Sequence, residues 1–495
     1  MPDQMVGLSR PREMKCMSWL SDHWLAAALL TLYTGVLFYN ANVGRRSSES
    51  LRDYYVGGRS MGGFAVGVSF FATFASTNSY IGHAGKGYEY GLPWLTMGVL
   101  IVVFTYLSWV LVAPRLRRFA SQWDALTLPD YLASRFGGDS RALRPMAAVI
   151  IVLSSLLYLV AIFKGGGHLF QSFLDIPYEM AVAVTLVIVM LYTSMGGFVS
   201  VVRTDVVQGT LMVIGSVTIF YFVTDAAGGV GAITQLVDKP QSQWLFSWNA
   251  GIPFVVLLGI ALSGSLKLLV DPRQVSRFYA LKDERSVKVG IRVALVGMAI
   301  VMLCLFPVGI YAHLLLPRVE DTDLIIPTFL SSGDVFPVWV ADMLVVAIVA
   351  AAMSSMDSVL LVAASVFYKD LVEIVRPATQ PIRWTRIGVV GFAVVAAVLA
   401  LNPPAGIVEI TIFSGSLYAA CFFPAIVFGL HWRQGSAAAV MVSMVVGVMV
   451  LLGWLLLGGR AIVHEVFPAL AVSCAAYGLV ARYTPPALSR WPEGS

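Results

Sequence analysis

The chain has 495 residues, 58% of them hydrophobic and only 12% charged, with a net charge of +5 and a mean hydropathy of +0.80. A soluble globule of this composition lacks the polar residues to cover itself, and the positive charge, scattered through short loops between apolar runs, sets topology rather than binding nucleic acid. The sequence therefore reads as an all-α integral membrane protein.

Residues 1–22 carry Arg10, Arg12 and Lys15, with Met14 and Met17 as alternative starts. They read as an external segment before a retained helix at 23–43, because no small-residue cleavage site precedes the next charged loop. Apolar stretches of about 20 residues, enough to cross a hydrocarbon core of roughly 30 Å, then recur along the chain. Thirteen are expected, near 23–43, 62–85, 92–114, 144–173, 178–198, 205–223, 251–268, 289–316, 337–368, 384–402, 405–430, 435–457 and 462–482, making one transmembrane unit over 23–482 with a tail at 483–495. Cys16, Cys304, Cys421 and Cys474 are scattered without metal-ligand spacing and read as apolar fillers.

The loops alternate in charge. One set, from Arg45 and Arg46 through the Lys267–Arg292 stretch to Arg482 and Arg490, holds 25 of the 33 Lys and Arg; the other holds seven and includes the acidic stretch 318–334. The positive-inside rule puts the N-terminus outside and the C-terminus in the cytoplasm, as an odd number of spans requires.

The second span is interrupted by Ser76-Thr77-Asn78-Ser79, four consecutive polar residues that cover every face of a helix. An unwound stretch with freed carbonyls near the midplane is expected there. A similar interruption is expected in the seventh span at Ser263-Gly264-Ser265, ahead of Asp271-Pro272. Two broken spans five apart point to inverted repeats, about 62–223 and 251–430. The ninth span contains Ala351-Ala352-Met353-Ser354-Ser355-Met356-Asp357-Ser358, where hydroxyls and a carboxylate offer the oxygens that replace the water shell of a hard cation. Lys164 lies inside the fourth span and shares a face with His168. Its ammonium serves an anionic substrate, pairs with an acidic residue, or snorkels to the outer interface. Lys86 and Glu89 read as an exposed pair at the outer end of the second span, and His83 as a packed polar residue.

Six motifs in order resemble the sodium:solute symporter family: Asp53-Tyr54-Tyr55-Val56-Gly57-Gly58-Arg59; Tyr80-Ile81-Gly82-His83-Ala84-Gly85; Gly196-Gly197 with Arg203 to Gln208; Asp271-Pro272 with Arg277 to Lys282; the Ala351–Ser358 cluster; and Gly429-Leu430-His431-Trp432. The resemblance implies a LeuT-like 5+5 inverted repeat with one extra N-terminal and two extra C-terminal helices. It implies Na⁺ as coupling ion, held at Ala72, Ala75, Ala351, Ser354 and Ser355. Asp205 aligns with a family carboxylate near this ion or along its exit, or else sits at the interface beside Arg203. Asp357 and Ser358 fall at a second cation site, where the extra carboxylate strengthens cation binding or carries a proton. Asn78, Ser79, Tyr80, Lys164 and His168 match substrate-facing positions. The implied protein is no enzyme. It imports a small organic solute, expected to be a carboxylate, across the plasma (inner) membrane by alternating access, within the lipid bilayer and without nucleic acid or an obligatory protein partner. H⁺ coupling, or a transporter-like sensor, is the alternative.

Overall fold

Apolar surroundings offer the backbone no water, so each spanning segment must satisfy its own N–H and C=O groups and coils into a helix. The computed structural model of the chain, which describes residues 23–137, 142–249, 251–316 and 319–487, accordingly consists of helices and their connections, with no strand among the described residues. The expected leading segment 1–22 with its Cys16, residues 488–495 of the tail, and the loop arginines Arg141 and Arg318 lie outside the described residues.

In chain order the main helices are α1 (Trp24–Arg46), α2 (Gly63–Phe74), α3 (His83–Tyr90), α4 (Leu92–Gln122), α5 (Leu143–Leu174), α6 (Tyr178–Ala226), α7 (Phe254–Val270), α8 (Pro272–Ala280), α9 (Glu284–Leu315), α10 (Val338–Val375), α11 (Pro381–Ala400), α12 (Ile407–His431), α13 (Ala437–Leu456) and α14 (Val466–Tyr483). Among the described residues, eleven helices are long and apolar enough to cross a membrane, against thirteen expected spans. The difference has two causes. Expected spans 178–198 and 205–223 are counted together as the 49-residue α6, but its path is broken at Gly197 (φ 66°, ψ −170°), a conformation that glycine adopts freely, so the two runs lie on either side of a kink. The second span is split into α2 and α3, and neither half is long enough to cross alone.

α10 is the centre of the bundle, buried along nearly its whole length and packed against α1, α5, α6 and α11. Both broken segments pack beside it. α2 ends at Ala75, whose ψ of 117° leaves the helical region, and a wide turn over Asn78–Gly82 restarts the chain toward α3. α7 runs unbroken through Ser263-Gly264-Ser265, which corrects the expected interruption: Ser263 Oγ donates to the Ile412 carbonyl across to α12, and Ser265 Oγ bonds back to Ala261. The break comes at Asp271, where Pro272 starts α8 and the Asp271 side chain caps it by accepting from the Arg273 N–H at 2.9 Å.

The two broken segments meet at the end of the bundle that carries the basic loops. Met61, just before α2, accepts from the Lys282 N–H at 3.1 Å and donates to the Ala280 carbonyl at 2.9 Å, just past α8. At the opposite, acidic end, α3 lies against the second half of α9. A Cβ on Gly309 would stand 2.0 Å from the Ala84 carbonyl, whereas Gly35 on α1 has open space around it. Gly309→Leu is therefore expected to destabilise the protein by about 1–3 kcal/mol through overpacking, and Gly35→Leu to leave it unchanged, both read as thermal midpoints of the detergent-purified protein.

Candidate functional site

Ending α2 at Phe74 frees the carbonyls of Ala72, Thr73, Phe74 and Ala75, which in a continuous helix would accept from the next turn. Ser76 serves the other side of the break. Its Oγ accepts from the Asn78 N–H at 3.2 Å, and its N–H donates to Ser79 Oγ at 3.4 Å, so the polar run acts as a cap for the outer segment. On the α2 side, Ser355 Oγ of α10 reaches the Thr73 carbonyl at 3.1 Å and the Ala75 carbonyl at 3.3 Å. Ser355 thus faces the break rather than its own preceding turn. Of the two expected α2 carbonyls, Ala75 is in contact with Ser355; Ala72 is one residue before the contacting Thr73, and Ala351 lies one turn before Ser355 on α10.

Ser354 turns elsewhere: its hydroxyl donates to Asp205 on α6. Asp205 is fully buried, so its interfacial placement beside Arg203 is excluded. It also accepts from Ser69 Oγ at 2.6 Å and pairs with Arg277 of α8 at 3.3 Å. Arg277, itself fully buried, completes the cluster with hydrogen bonds to Ser69 at 3.1 Å, Thr73 Oγ1 at 2.8 Å and Ser358 at 2.5 Å. Asp357, also fully buried, is set apart from the guanidinium: it accepts from Tyr192 at 3.4 Å and from Ser358 at 3.4 Å.

Arg277, Ser69, Thr73 and Tyr192 belong to this cluster although the sequence pattern assigns none of them a role. Lys267, Arg273 and Arg277, expected among the loop charges, are all buried, Lys267 in α7 and the arginines in α8. The signal was present in Asp271-Pro272: a proline that starts a new half-helix keeps the residues on either side of it within the bundle.

The expected substrate positions do not converge on one point. Asn78 Nδ2 donates to Thr411 Oγ1 on α12 at 3.2 Å, while Tyr80 turns to α6 and gives its hydroxyl to the Met212 carbonyl at 2.6 Å. Ser79 is held by Ser76. Lys164 pairs with Asp323 at 3.2 Å, and His168 leans on the Tyr178 ring. Lys86 is not an exposed pair with Glu89: only 13% accessible, it bridges Glu89 at 2.6 Å and Glu409 at 2.7 Å. Lys86, Glu409, Lys164 and Asp323 line a cavity of about 470 Å³ at the acidic end. A second cavity of about 380 Å³ shares Lys86 and Glu409 and runs down past Trp94 to Ile260 and Ile412.

Chemically, one hydroxyl facing two orphan carbonyls, with a carboxylate cluster beside it, suits a hard monovalent cation. Among the described residues there is no group of His, Cys, Asp and Glu suited to a transition metal. Removing the charge partner tests the second half of the cluster. Arg277→Leu leaves Asp205 buried and unpaired and is expected to cost about 3–5 kcal/mol. The double variant Asp205→Asn/Arg277→Gln should recover most of that loss, as read by thermal midpoint and by yield of folded protein.

A model of the sodium:solute symporter family matches residues 54–447. The sodium/pantothenate symporter of Haemophilus influenzae is 27% identical over 460 residues, covering 91% of this chain and 93% of that protein. The osmoregulated proline transporter OpuE of Bacillus subtilis is 30% identical over 450 residues, covering 89% and 91%. Among solved structures, the substrate-bound, outward-open state of a Na⁺-coupled sialic acid symporter superposes with a TM-score of 0.77 at 21% identity, covering 93% of this chain and 98% of that one. The LeuT-like architecture expected from the motifs is the fold observed.

Proposed function

This chain belongs to the sodium:solute symporter family, and from that membership we propose that it imports a small organic carboxylate together with Na⁺ by alternating access. It is a multi-pass membrane transporter and not an enzyme, and Na⁺ is its coupling ion. The carboxylate draws support from relatives named for pantothenate, proline and sialic acid, each of which carries a carboxylate.

The observation that carries the ion site is the contact of Ser355 Oγ with the Thr73 and Ala75 carbonyls. Three oxygens from α2 and α10 converge there. A cation placed among them needs only the hydroxyl proton to rotate away, after which all three lone pairs face the charge. We assign Na⁺ to this joint, with Thr73, Ala75 and Ser355 supplying the converging oxygens and Ala72, Ala351 and Ser354 beside them. Holding α2 against α10 couples the ion to the break at which the substrate binds, and by reciprocity each must then tighten the other's binding by the same factor.

Asp205 has its charge balanced by Arg277, so we assign one Na⁺ to the Ser355 joint and none to Asp205. The positive-inside rule places the acidic cavity outside, so the open path from Lys86 toward Trp94 is the external approach. H⁺ coupling stays as the second reading because Asp357 is fully buried and has no salt-bridge partner among the described residues.

Uptake of labelled acids, amino acids and sugars into proteoliposomes, with Na⁺ and H⁺ gradients imposed separately, tests the proposal. Accumulation is expected with Na⁺ alone, with a Hill coefficient close to one. Ser355→Ala should raise the Na⁺ concentration for half-maximal uptake by about tenfold or more, since a hydrogen-bonding group facing a charge contributes about 1.5–3 kcal/mol, while leaving the order of preferred substrates unchanged. An unchanged Na⁺ dependence rules out the assigned site. Uptake without Na⁺ that collapses in Asp357→Asn moves the coupling to the proton.

A further inference from the structure

Two cations flank the break between α7 and α8, and their surroundings differ. Arg273 is neutralised in place: its guanidinium forms a salt bridge with Asp271, Nε lying 3.0 Å from each carboxylate oxygen. Lys267, one turn before the break, is 4% accessible. Its Nζ lies 5.0 Å from the centroid of the Phe74 ring and 5.3 Å from that of Tyr158. Among the described residues its ammonium has neither an ion-pair partner nor a hydrogen-bond acceptor.

Two π faces attract an ammonium, but they do not replace a counter-charge for a cation buried at the depth of the helix breaks. An unmatched charge of that kind marks a place where a ligand's opposite charge belongs. The location fits a substrate site. Phe74 is the last residue of α2, and Tyr158 on α5 donates its hydroxyl at 3.3 Å to Ser76, inside the other break. Lys267 therefore stands between the two interruptions, where half-helix ends offer polar backbone groups. Nearby in the chain, Thr77 Oγ1 and Asn78 Oδ1 are buried without hydrogen-bond partners. Lys164, by contrast, already has Asp323.

Resting on the reading of the cargo as an organic carboxylate, we propose that Lys267 is the counter-charge for the substrate's carboxylate, with the Phe74 ring as a wall for its adjoining carbons, the Tyr158 ring carrying the Arg273 guanidinium at 3.8 Å. Lys164 then belongs to the outer cavity. A cargo of this class pairs an anionic head with a short apolar body, and a neutral isostere of the head forfeits the ion pair.

The test compares wild type, Lys267→Gln and Lys267→Arg, each as the purified full chain, for binding of pantothenate and L-proline beside their primary amides in saturating Na⁺. Binding of radiolabelled Na⁺ without organic solute certifies that each variant is folded. Wild type is expected to prefer an acid over its amide. Lys267→Gln should lower affinity for the acid roughly 30-fold or more while sparing the amide, and Lys267→Arg should keep most of the preference. A folded Lys267→Gln that retains the wild-type acid-to-amide ratio overturns the role of Lys267 and leaves the carboxylate reading standing. A wild type that prefers neither acid overturns both. Should Lys267→Gln not fold, Lys267→Met, which keeps the apolar stem between the rings, is read in the same way; failure of both to fold makes Lys267 a structural cation and overturns the assignment.

Discussion

A helix interrupted inside a bilayer leaves carbonyls that no water can reach, and the centre of this molecule is arranged around satisfying them. Ser76 and Ser79 settle the outer side of the break within the chain itself. The α2 side is settled from α10, by Ser355. A neutral hydroxyl–carbonyl bond contributes only about 0.5–1.5 kcal/mol net, so without an ion the Ser355 contact itself adds little to what holds α2 against α10. A cation in the same position acts on two carbonyl dipoles and a hydroxyl at once, at low dielectric, where charge–dipole attraction is strong. The orphan carbonyls thus make the joint sensitive to the ion.

The same economy governs the charges. Arg277 reaches from α8 to Ser69 and Thr73 on α2, Asp205 on α6 and Ser358 on α10, so one guanidinium links four helices. Together with the backbone bonds between Met61 and the Ala280–Lys282 stretch, it makes the basic-end halves of the two broken segments a single unit. The acidic-end halves have other attachments: α3 to α9 through the close approach at Gly309, and Lys86 to Glu409 on α12. Each break is therefore a joint between halves with different anchors, at Ala75–Ser76 and at Asp271.

Much of this was legible in the residues. Ser76-Thr77-Asn78-Ser79 announced a break because four adjacent polar side chains cannot all leave the lipid face. The Ala351–Ser358 run announced the cluster that meets it. What misled were residues whose meaning depends on partners far away in sequence. Ser263-Gly264-Ser265 looked like a second break, but those hydroxyls are satisfied by Ile412 and Ala261 within intact helix. Lys267, Arg273 and Arg277 looked like loop charges because a window of hydropathy ends where they begin; burial among Asp271, Asp205 and aromatic rings moves them into the bundle. The pair Gly196-Gly197 did mark the kink of α6, whereas Arg203 beyond it looked like a loop charge and lies within helix, bonded to Asn40 of α1.

The buried charges also set the electrical character of the transport cycle. Asp271–Arg273 and Asp205–Arg277 are neutral pairs, whereas among the described residues Lys267 and Asp357 have no salt-bridge partner. If one Na⁺ joins the α2–α10 joint and one carboxylate meets Lys267, the loaded and empty carriers differ by no net charge. Neither reorientation then moves extra charge through the membrane potential, which acts at about 2.3 kcal/mol per charge per 100 mV. The Na⁺ concentration difference, rather than the voltage, is then the force that this arrangement uses on a monoanionic cargo. A zwitterionic cargo such as an amino acid brings no net charge of its own, so the same site would carry the Na⁺ charge across and feel the voltage.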